Sequence, residues 1–375
     1  MPETGTARRA AMPVIDSDAH VVETEQTWDY MDPGDEKYRP QVVDDGSGGK
    51  FWKIDGEIRG RARGPVAAFG LSDKVKRNMV TDDAKRYMED IPGRVAHMDE
   101  LGIDVQVLYP TMYIGRMCEN PDTEVALSKS YNRWLADIWE QSKGRLRWTS
   151  ILPLATMDEA LDQLRWSAEH GACGVTMRTI EDERLLIDEY FYPVYEEAAR
   201  LNQPIAIHIG NSNAYIRNLM ANDGIGGTFG GLRLMSVASF HQLITTGTPK
   251  KFPGLRWGYI EASSQWLPYA IHDLRRRLET RGRELEEDVL GAYNIWVTAQ
   301  TDDNLPDVLK YVNHRHILIG TDYGHQDQSS EIEAMRIIRE EGGLAPGIID
   351  DIMGQNALDF YGITVESPVL AGAAG

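Results

Sequence analysis

Cysteine is scarce in this chain, which has two among its 375 residues, Cys118 and Cys173. Two thiols cannot form a disulfide framework for a chain of this length, and their spacing matches no zinc motif. No stretch is long and apolar enough to span a bilayer, and no apolar run follows Arg8 and Arg9 as an export signal requires. We therefore expect a cytoplasmic protein that does not bind membranes.

Basic residues are also few, with 39 Lys and Arg against 58 Asp and Glu and a net charge of −19 when histidine is neutral. Proteins that bind phosphates normally display a basic patch, and none is visible here. This composition argues against binding of duplex DNA or of anionic membrane surfaces. An acidic substrate would need a local arginine or metal ion to overcome the negative field.

A dinucleotide fingerprint is missing too, because the glycines near residues 224–231 do not lie between a strand and a helix as G-x-G-x-x-G. A nicotinamide-dependent oxidoreductase on a doubly wound sheet is therefore a poor alternative.

The sequence does contain eight short apolar or β-branched runs, separated by helix-like stretches. Strands joined in this way by helices form parallel sheets, and eight is the number that a closed barrel of this kind needs. We predict a distorted (β/α)₈ TIM barrel as a single domain over residues 13–365, with loose tails at 1–12 and 366–375. The runs are Val14–Asp16, Val105–Tyr109, Trp148–Leu152, Gly174–Met177, Ile205–Ile209, Trp257–Ile260, Asn294–Val297 and Ile317–Gly320.

Two connections are longer than a minimal barrel needs. Residues 22–80 contain FWKIDGEIRG, in which Asp55-Gly56 between alternating runs predicts a β-hairpin insertion after the first strand. Residues 210–240 follow the fifth strand and are rich in glycine. Because loops after barrel strands form the catalytic face, we expect this segment to be a substrate lid.

Polar side chains follow several of these strands at the edge where barrel enzymes place their catalytic groups. Asp18 and His20, in DSDAH, lie two apart and so share one side of an extended backbone. His208 ends the fifth strand and Asp322 follows the last. These four residues form a mixed oxygen and nitrogen set that suits one divalent ion, first Zn²⁺ and otherwise Mn²⁺.

Nearly the whole chain, from Val14 to about Tyr361, resembles the amidohydrolase-related barrels of the amino-carboxymuconate-semialdehyde decarboxylase branch. The resemblance rests on DSDAH, RVAHMDELGIDVQVLYPT, YNRWLADIWEQSKGRLRWTSILPL, YFYPVYEEAARLNQPIAIHIG, KKFPGLRWGYIEASSQWLPY and HILIGTDYGHQD. It implies that Asp18, His20, His208 and Asp322 are metal ligands, that Asp322 also exchanges a proton, and that the protein is a homodimer.

One departure from the family lies after the sixth strand, where its members commonly carry a proton-transferring histidine and this chain has Glu261. A carboxylate can act as acid or base if an apolar setting raises its pKa, but it can also bind metal or an arginine. We therefore treat Glu261 as a catalytic candidate with Asp322, and His325, in the loop after the last strand, as the third. His241 could also supply the missing histidine, although its position on a predicted helix favours a structural role. We expect the remaining histidines to be structural: His97, His170, His272, His314 and His316.

Substrate contacts are predicted after the fourth and second strands. Arg178 ends the fourth strand, where its guanidinium could bind a carboxylate or pair with Glu181 or Asp182 at the rim. Tyr109 and Arg116 are further candidates.

Three functions are compatible with these residues. The first is a metal-dependent, non-oxidative decarboxylase of a small aromatic or cyclic carboxylic acid. The second is a hydrolase that uses metal-activated water to cleave an amide, ester or carbon–carbon bond. The third is a barrel that binds a ligand without catalysis, which the presence of all the expected metal ligands argues against.

Overall fold

The computed structural model of the protein describes residues 12–44, 46, 49–63, 78–220 and 229–365. Eight parallel strands form one sheet in which each strand pairs with the next in chain order. The predicted strands of the barrel are thereby confirmed. They are β1 (Ile15–His20), β2 (Val105–Tyr109), β3 (Leu146–Ser150), β4 (Ala172–Arg178), β5 (Ile205–His208), β6 (Trp257–Ile260), β7 (Ile295–Ala299) and β8 (Ile317–Ile319).

The barrel closes where β8 and the residues after it meet β1. The backbone N–H groups of Thr321 and Asp322 donate to the carbonyl of Asp18 at 3.2 and 2.8 Å. Gly320 allows this close approach, because a Cβ atom there would lie 2.2 Å from the Cβ of Asp18. The first and last strands therefore bring Asp18 and Asp322 together at one end of the barrel.

Helices connect the strands and cover the outside of the barrel. None of the described helices is both long and apolar enough to cross a bilayer. The helices are α1 (Asp83–Arg86), α2 (Ile91–Glu100), α3 (Pro121–Gln141), α4 (Met157–Glu169), α5 (Tyr192–Arg200), α6 (Ala214–Met220), α7 (Leu234–Thr246), α8 (Thr248–Lys251), α9 (Leu267–Glu279), α10 (Val289–Ala292), α11 (Leu305–Val308), α12 (Ala334–Glu341), α13 (Pro346–Asp350) and α14 (Asn356–Tyr361).

The predicted hairpin insertion is present between β1 and α1. Strands Lys50–Ile54 and Glu57–Arg61 are antiparallel and joined at Asp55 and Gly56, whose φ values of 51° and 86° are those of a tight hairpin turn. A third strand, Gln41–Asp44, extends this small sheet. Residues 64–77 of the insertion lie outside the described residues.

The predicted lid segment is largely helical where the structure describes it. It contains α6, a π-helical turn at Phe229–Arg233 and the first part of α7. The glycine-rich residues 221–228 lie outside the described residues, as do 1–11 and 366–375 of the predicted tails.

Apolar side chains fill the barrel below its carboxyl-terminal end. They include Tyr109, Ile260 and Trp296 from the strands and Phe360 from α14. Gly258 in β6 gives room to this helix, since a Cβ there would lie 2.3 Å from the Phe360 ring. The interior is therefore a packed core, and the polar site lies above it at the strand ends.

Candidate metal centre

The ends of β1 and β5 bring three buried potential ligands together. The Oδ1 atom of Asp18 lies 3.5 Å from the Nε2 atoms of both His20 and His208. The two Nε2 atoms are 3.1 Å apart. Ligand atoms around a tetrahedral zinc ion at about 2.0–2.2 Å are separated by roughly 3–3.6 Å. These three side chains are thus spaced as ligands of one ion would be.

Two further carboxylates border the same group. Asp322 Oδ1 lies 3.4 Å from His20 Nε2, and Glu261 Oε2 lies 3.5 Å from His208 Nε2. Both carboxylates are buried, with exposed fractions of 2% and 6%. The possible ligands fall into two groups that share His20: Asp18, His20 and His208 form one, and His20, Glu261, Asp322 and His325 form the other. That all four predicted ligands hold one ion stays a prediction.

Several acceptor atoms of this cluster have no hydrogen-bond donor. Among the described residues, nothing donates to Asp18 Oδ1, Glu261 Oε2 or Asp322 Oδ1, although all three atoms are buried. A buried carboxylate oxygen without a donor or cation is costly. The residues present therefore fit a divalent cation, which would satisfy buried carboxylate oxygens of the cluster that have no donor.

The electrostatics of the cluster point the same way. Burial raises the pKa of Glu261 well above its usual value, and Asp322 adds to the effect. Burial likewise raises the pKa of Asp322, with contributions from Asp327 and Asp18. Burial lowers the pKa of His20 well below the usual value. These side chains favour their neutral forms unless a cation stabilises the carboxylates, and neutral imidazole is the form that binds metal.

The orientation of His20 is fixed from behind. Its Nδ1 atom lies 3.1 Å from the carbonyl oxygen of Pro110, which can only accept a hydrogen bond. The proton of neutral His20 is thereby placed on Nδ1, and the Nε2 lone pair faces the cluster.

His325 packs against the same cluster, with its ring stacked on His20 at a centroid distance of 3.7 Å. The hydroxyl of Thr111 donates to the Val21 carbonyl, so its oxygen accepts from His325 Nε2 at 2.9 Å. The Nδ1 lone pair of neutral His325 therefore lies 2.8 Å from Asp322 Oδ1. Two lone pairs at this distance require a proton or a cation between them.

The two site carboxylates that follow β6 and β8 have strained backbones. Glu261 and Asp322 have φ values of 59° and 51°, in the left-handed region that non-glycine residues seldom adopt. Ser263 and Ser264 anchor the Glu261 turn by donating to Asp303 at 2.5 to 2.8 Å. Strain held in place by surrounding bonds is a feature of functional sites.

Asp16 ties the ligand-bearing strands to each other below the cluster. Its carboxylate accepts from the N–H and hydroxyl of Thr321 at 2.9 and 2.6 Å and from Gln106 Nε2 at 2.8 Å. Gln106 in turn accepts from Arg94 at 2.7 Å. Burial raises the pKa of Asp16 to about 6 in spite of these bonds. β1, β2 and the β8 loop are thus held together by one buried polar network.

The predicted substrate-binding arginines lie outside this cluster. Arg178 forms an ion pair with buried Glu181 and donates to the carbonyl of Gly115 at 2.8 Å. Arg116 lies 3.2 Å from Asp182. Both arginines line a polar cleft of about 500 Å³. The structure thus shows the rim pairing of Arg178 that the sequence left open, and a role in substrate binding stays a prediction.

Tyr109 lies beneath the cluster and not above it. Its ring is 5.1 Å from that of His208, and its hydroxyl lies 2.7 Å from the hydroxyl of Tyr361 in α14. Tyr361 donates to the carbonyl of Ser17. Tyr109 is fully buried and supports the floor of the site, while substrate contact stays a prediction.

Three residues that the sequence did not single out also border the site. Ser330 donates to Asp322 Oδ2 at 2.7 Å, and Thr111 holds His325. Arg86 is buried, and among the described residues its Nε and Nη1 atoms have no hydrogen-bond partner. Thr111 could have been predicted as a site residue, because it comes just after a barrel strand. None of the histidines expected to be structural joins the described metal-ligand groups.

A profile of the amidohydrolase family matches residues 15–363, nearly the full described chain. A search of curated proteins finds no match.

Solved structures share the fold at low identity. An amidohydrolase from Mycobacterium avium subsp. paratuberculosis K-10 is 21% identical, with a TM-score of 0.74 over 94% of this chain and 100% of its own. A 2,6-dihydroxybenzoate decarboxylase from Rhizobium is 15% identical, with a TM-score of 0.66 over 94% and 99%. A variant of 5-carboxyvanillate decarboxylase from Novosphingobium aromaticivorans DSM 12444, with bound manganese and a nitrobenzoic acid, is 18% identical, with a TM-score of 0.68 over 94% and 97%. With a family profile matching almost its entire length and a barrel that carries the expected cluster of polar side chains, the chain belongs to the amidohydrolase family and is an enzyme.

Proposed function

We propose that this enzyme removes CO₂, without oxidation, from a small aromatic or cyclic carboxylic acid in a metal-dependent reaction. The observation that carries the proposal is the position of Glu261. Its Oε2 atom is buried, has no described hydrogen-bond donor and lies 3.5 Å from His208 Nε2. A carboxyl group kept neutral beside a ligand cluster can give a proton to a bound substrate.

Two structural relatives support the choice of reaction. Both are decarboxylases of hydroxylated aromatic acids, and one of them holds manganese together with an aromatic acid.

The metal-binding residues in this proposal are Asp18, His20, His208 and Asp322. Carboxylate oxygens and imidazole nitrogens together suit Zn²⁺, and Mn²⁺ is the alternative. When bound, such an ion supplies positive charge that binds oxygen atoms of the substrate. The buried acceptor atoms of Asp18 and Asp322 are the specific features of this chain that fit it.

The residues of the chain then supply the proton. The carboxyl group of Glu261 donates its proton to the ring carbon that bears the substrate carboxylate. The bond between that carbon and the carboxylate breaks, CO₂ leaves, and the electron pair of the bond returns to the ring. Glu261 then recovers a proton from water.

Asp322 and His325 together form a second possible source of the proton in this proposal. Thr111 accepts from His325 Nε2, so in the state in which Asp322 Oδ1 does not contact the ion, a proton shared between His325 Nδ1 and Asp322 Oδ1 would be held at the cluster. This pair makes Asp322 the alternative proton donor, with His325 keeping the proton in place.

Hydrolysis is the second candidate function, and one observation favours it. Glu261 stands where the family commonly has a histidine, so the proton chemistry of this chain need not be that of its relatives. In this alternative Asp322 takes a proton from water that attacks an amide, ester or carbon–carbon bond, and returns it to the leaving group.

We also include in the proposal a cytoplasmic homodimer acting on a small molecule. The family resemblance supports the dimer, and the acidic composition supports the absence of nucleic-acid and membrane partners.

The test is a product analysis with the enzyme loaded with Zn²⁺ or Mn²⁺. A panel of hydroxybenzoates, amides, esters and ring-cleavage acids is incubated and examined by mass spectrometry. The expected result is a phenol or other product lighter than its acid by one CO₂. Products formed by addition of water, with no loss of CO₂ from any acid, would contradict decarboxylation and favour hydrolysis.

A further inference from the structure

An anionic substrate would meet a strongly acidic environment at the mouth of this barrel. Asp18, Glu261 and Asp322 are buried there, and Asp327 lies near enough to raise the pKa of Asp322. Even with a divalent cation bound there, a substrate carboxylate gains affinity and a fixed orientation from positively charged or N–H partners in the chain. Arg178 does not offer them, because it is already paired with Glu181.

Arg233 carries a guanidinium in a different part of the barrel from Arg178. It ends the π-helical turn Phe229–Arg233, just before α7. Its Nη1 atom donates to Gln300 Oε1 at 3.1 Å, and its Nη2 atom donates to Ser329 Oγ at 3.3 Å. Arg233 therefore spans from the end of β7 to the loop after β8, which are the strands that flank the Asp322 side of the site.

The charge of Arg233 is not neutralised by a close carboxylate. Among the described residues none forms an ion pair with it, whereas its positive charge acts on Glu261 and partly opposes the rise in pKa that burial causes there. The two hydrogen bonds of Arg233 also use only some of the N–H donors that a guanidinium carries. Arg233 thus keeps both charge and donors available beside the proposed acid.

Gln300 offers a second donor in the same place. It follows β7 directly, where Trp296 faces the barrel interior. Side chains two residues apart in a strand lie on the same side of it. Thr298 and Gln300 therefore lie on the same side as Trp296, and Gln300 is the one at the mouth of the barrel. Gln300 is only 8% exposed.

The orientation of the Gln300 amide is fixed by its neighbour. A guanidinium can only donate, so the amide oxygen must face Arg233 and the NH₂ group must point away from it. Among the described residues, nothing accepts a hydrogen bond from this buried Nε2 atom. A buried donor without an acceptor is uncommon in proteins and indicates a missing partner.

We infer that Arg233 and Gln300 together bind the carboxylate of the aromatic acid. Arg233 supplies positive charge, and the unpartnered Nε2 atom of Gln300 donates a hydrogen bond to the carboxylate. This inference deepens the proposed function and rests on it for the identity of the substrate class. Arg233 and Gln300 are then substrate-binding residues, and Arg178 has a structural role through its ion pair with Glu181.

The experiment compares binding of benzoate with binding of phenol, which has no carboxylate, by calorimetry on the full chain with its metal content measured. We expect Arg233→Met to weaken benzoate binding about tenfold or more, as loss of a charged hydrogen bond does, and to leave phenol binding unchanged. Gln300→Leu should weaken benzoate binding by a smaller factor. Arg233→Lys, which keeps the charge but loses the planar fork, should lie between Arg233→Met and the parent protein.

Arg86→Met and Arg178→Met test the competing arginines of the same face of the barrel. The matched control is Arg336→Met, which removes an exposed arginine of α12 that pairs with Glu333 and Glu340. Benzoate affinity that falls in Arg86→Met or Arg178→Met but not in Arg233→Met would overturn the inference. An equal loss of phenol binding would overturn it as well, and so would the absence of benzoate binding to the parent protein. Circular dichroism of each variant checks folding, and if Arg233→Met does not fold, Arg233→Lys and Gln300→Leu decide the question.

The failure of the proposed reaction would be seen separately. If no acid on the panel loses CO₂ but benzoate binding still depends on Arg233, the carboxylate site stands and decarboxylation is wrong. If CO₂ is released and neither benzoate affinity nor the KM of the acid depends on Arg233, the reaction stands and this inference is wrong.

Discussion

His20 ends the first strand of the barrel and His208 ends the fifth, yet their Nε2 atoms lie 3.1 Å apart. Both Nε2 atoms lie 3.5 Å from Asp18 Oδ1. Two imidazoles and a carboxylate in such contact need either protons or one shared cation. A divalent ion at this point explains their spacing and the buried acceptors that surround them.

The first prediction concerns His208. We expect His208→Ala to lower metal affinity by more than about a hundredfold, because removing a direct ligand should cost more than removing a supporting residue does. Turnover should be lost with the metal. Metal analysis of the purified variant measures the first effect, with His241→Ala as the control, since His241 lies on α7 and pairs with Asp273. Full metal content in His208→Ala would refute its assignment as a ligand.

The second prediction separates proton transfer from metal binding at Glu261. Glu261→Gln keeps the size of the side chain but removes the acidic proton. We expect turnover to fall by about 10²–10⁴-fold, the usual contribution of general acid catalysis, with metal content nearly unchanged. Parallel assays of turnover and metal content provide the test. Equal loss of both would identify Glu261 as a ligand instead.

The third prediction concerns the stability of the rim. Arg178 and Glu181 are both largely buried, with side-chain exposures of 15% and 6%. Arg178→Met removes the guanidinium that pairs with Glu181 and leaves the buried carboxylate only the backbone N–H of residue 178. We therefore expect the free energy of unfolding to fall by about 3–5 kcal/mol. Urea denaturation measures the change.

Adding Glu181→Leu to Arg178→Met should restore part of the lost stability, because the unpaired charge is then removed. If Arg178→Met alone is as stable as the parent protein, the ion pair contributes little to the free energy of unfolding.

The fourth prediction is a pH dependence of stability that originates at Glu23. This buried carboxylate accepts from the backbone N–H groups of Thr111 and Met112, and burial raises its pKa from 4.5 to about 7. Between these values the folded protein holds a proton that the unfolded chain has released. The contribution of Glu23 is therefore present below pH 4.5 and is lost as pH rises through about 7.

Glu23→Gln removes this titration. We expect the stability of the parent protein, relative to the variant, to fall by on the order of 1 kcal/mol per pH unit within that window. Urea unfolding of both proteins at several pH values measures the difference. A difference that does not change with pH would contradict the assignment.

The barrel could be predicted from the sequence because its signal is repeated and local. Each strand is an apolar run that ends in polar residues, and Asp55-Gly56 marks its hairpin by turn chemistry. The positions of Asp18, His20, His208 and Asp322 at strand ends were enough to predict that they lie at one end of the barrel, because parallel strands end at one face.

The partners of the arginines could not be predicted in the same way. Arg178 has Glu181 and Asp182 as near neighbours in sequence, and only the short hairpin after β4 determines which acid it meets. Arg233 follows a glycine-rich segment without a periodic pattern, and its contact with Gln300 joins two distant loops. Tyr109 ends its strand as expected, but its contact with Tyr361 depends on the packing of α14 beneath the barrel.

The most direct measurement is the position of the ion, obtained by anomalous X-ray diffraction from crystals of the protein loaded with Zn²⁺ or Mn²⁺. We expect one strong anomalous peak at about 2.0–2.2 Å from atoms of Asp18, His20, His208 and Asp322 together. A peak that contacts only some of these residues at a different centre, or no peak among them in a protein that retains metal elsewhere, would contradict the shared site.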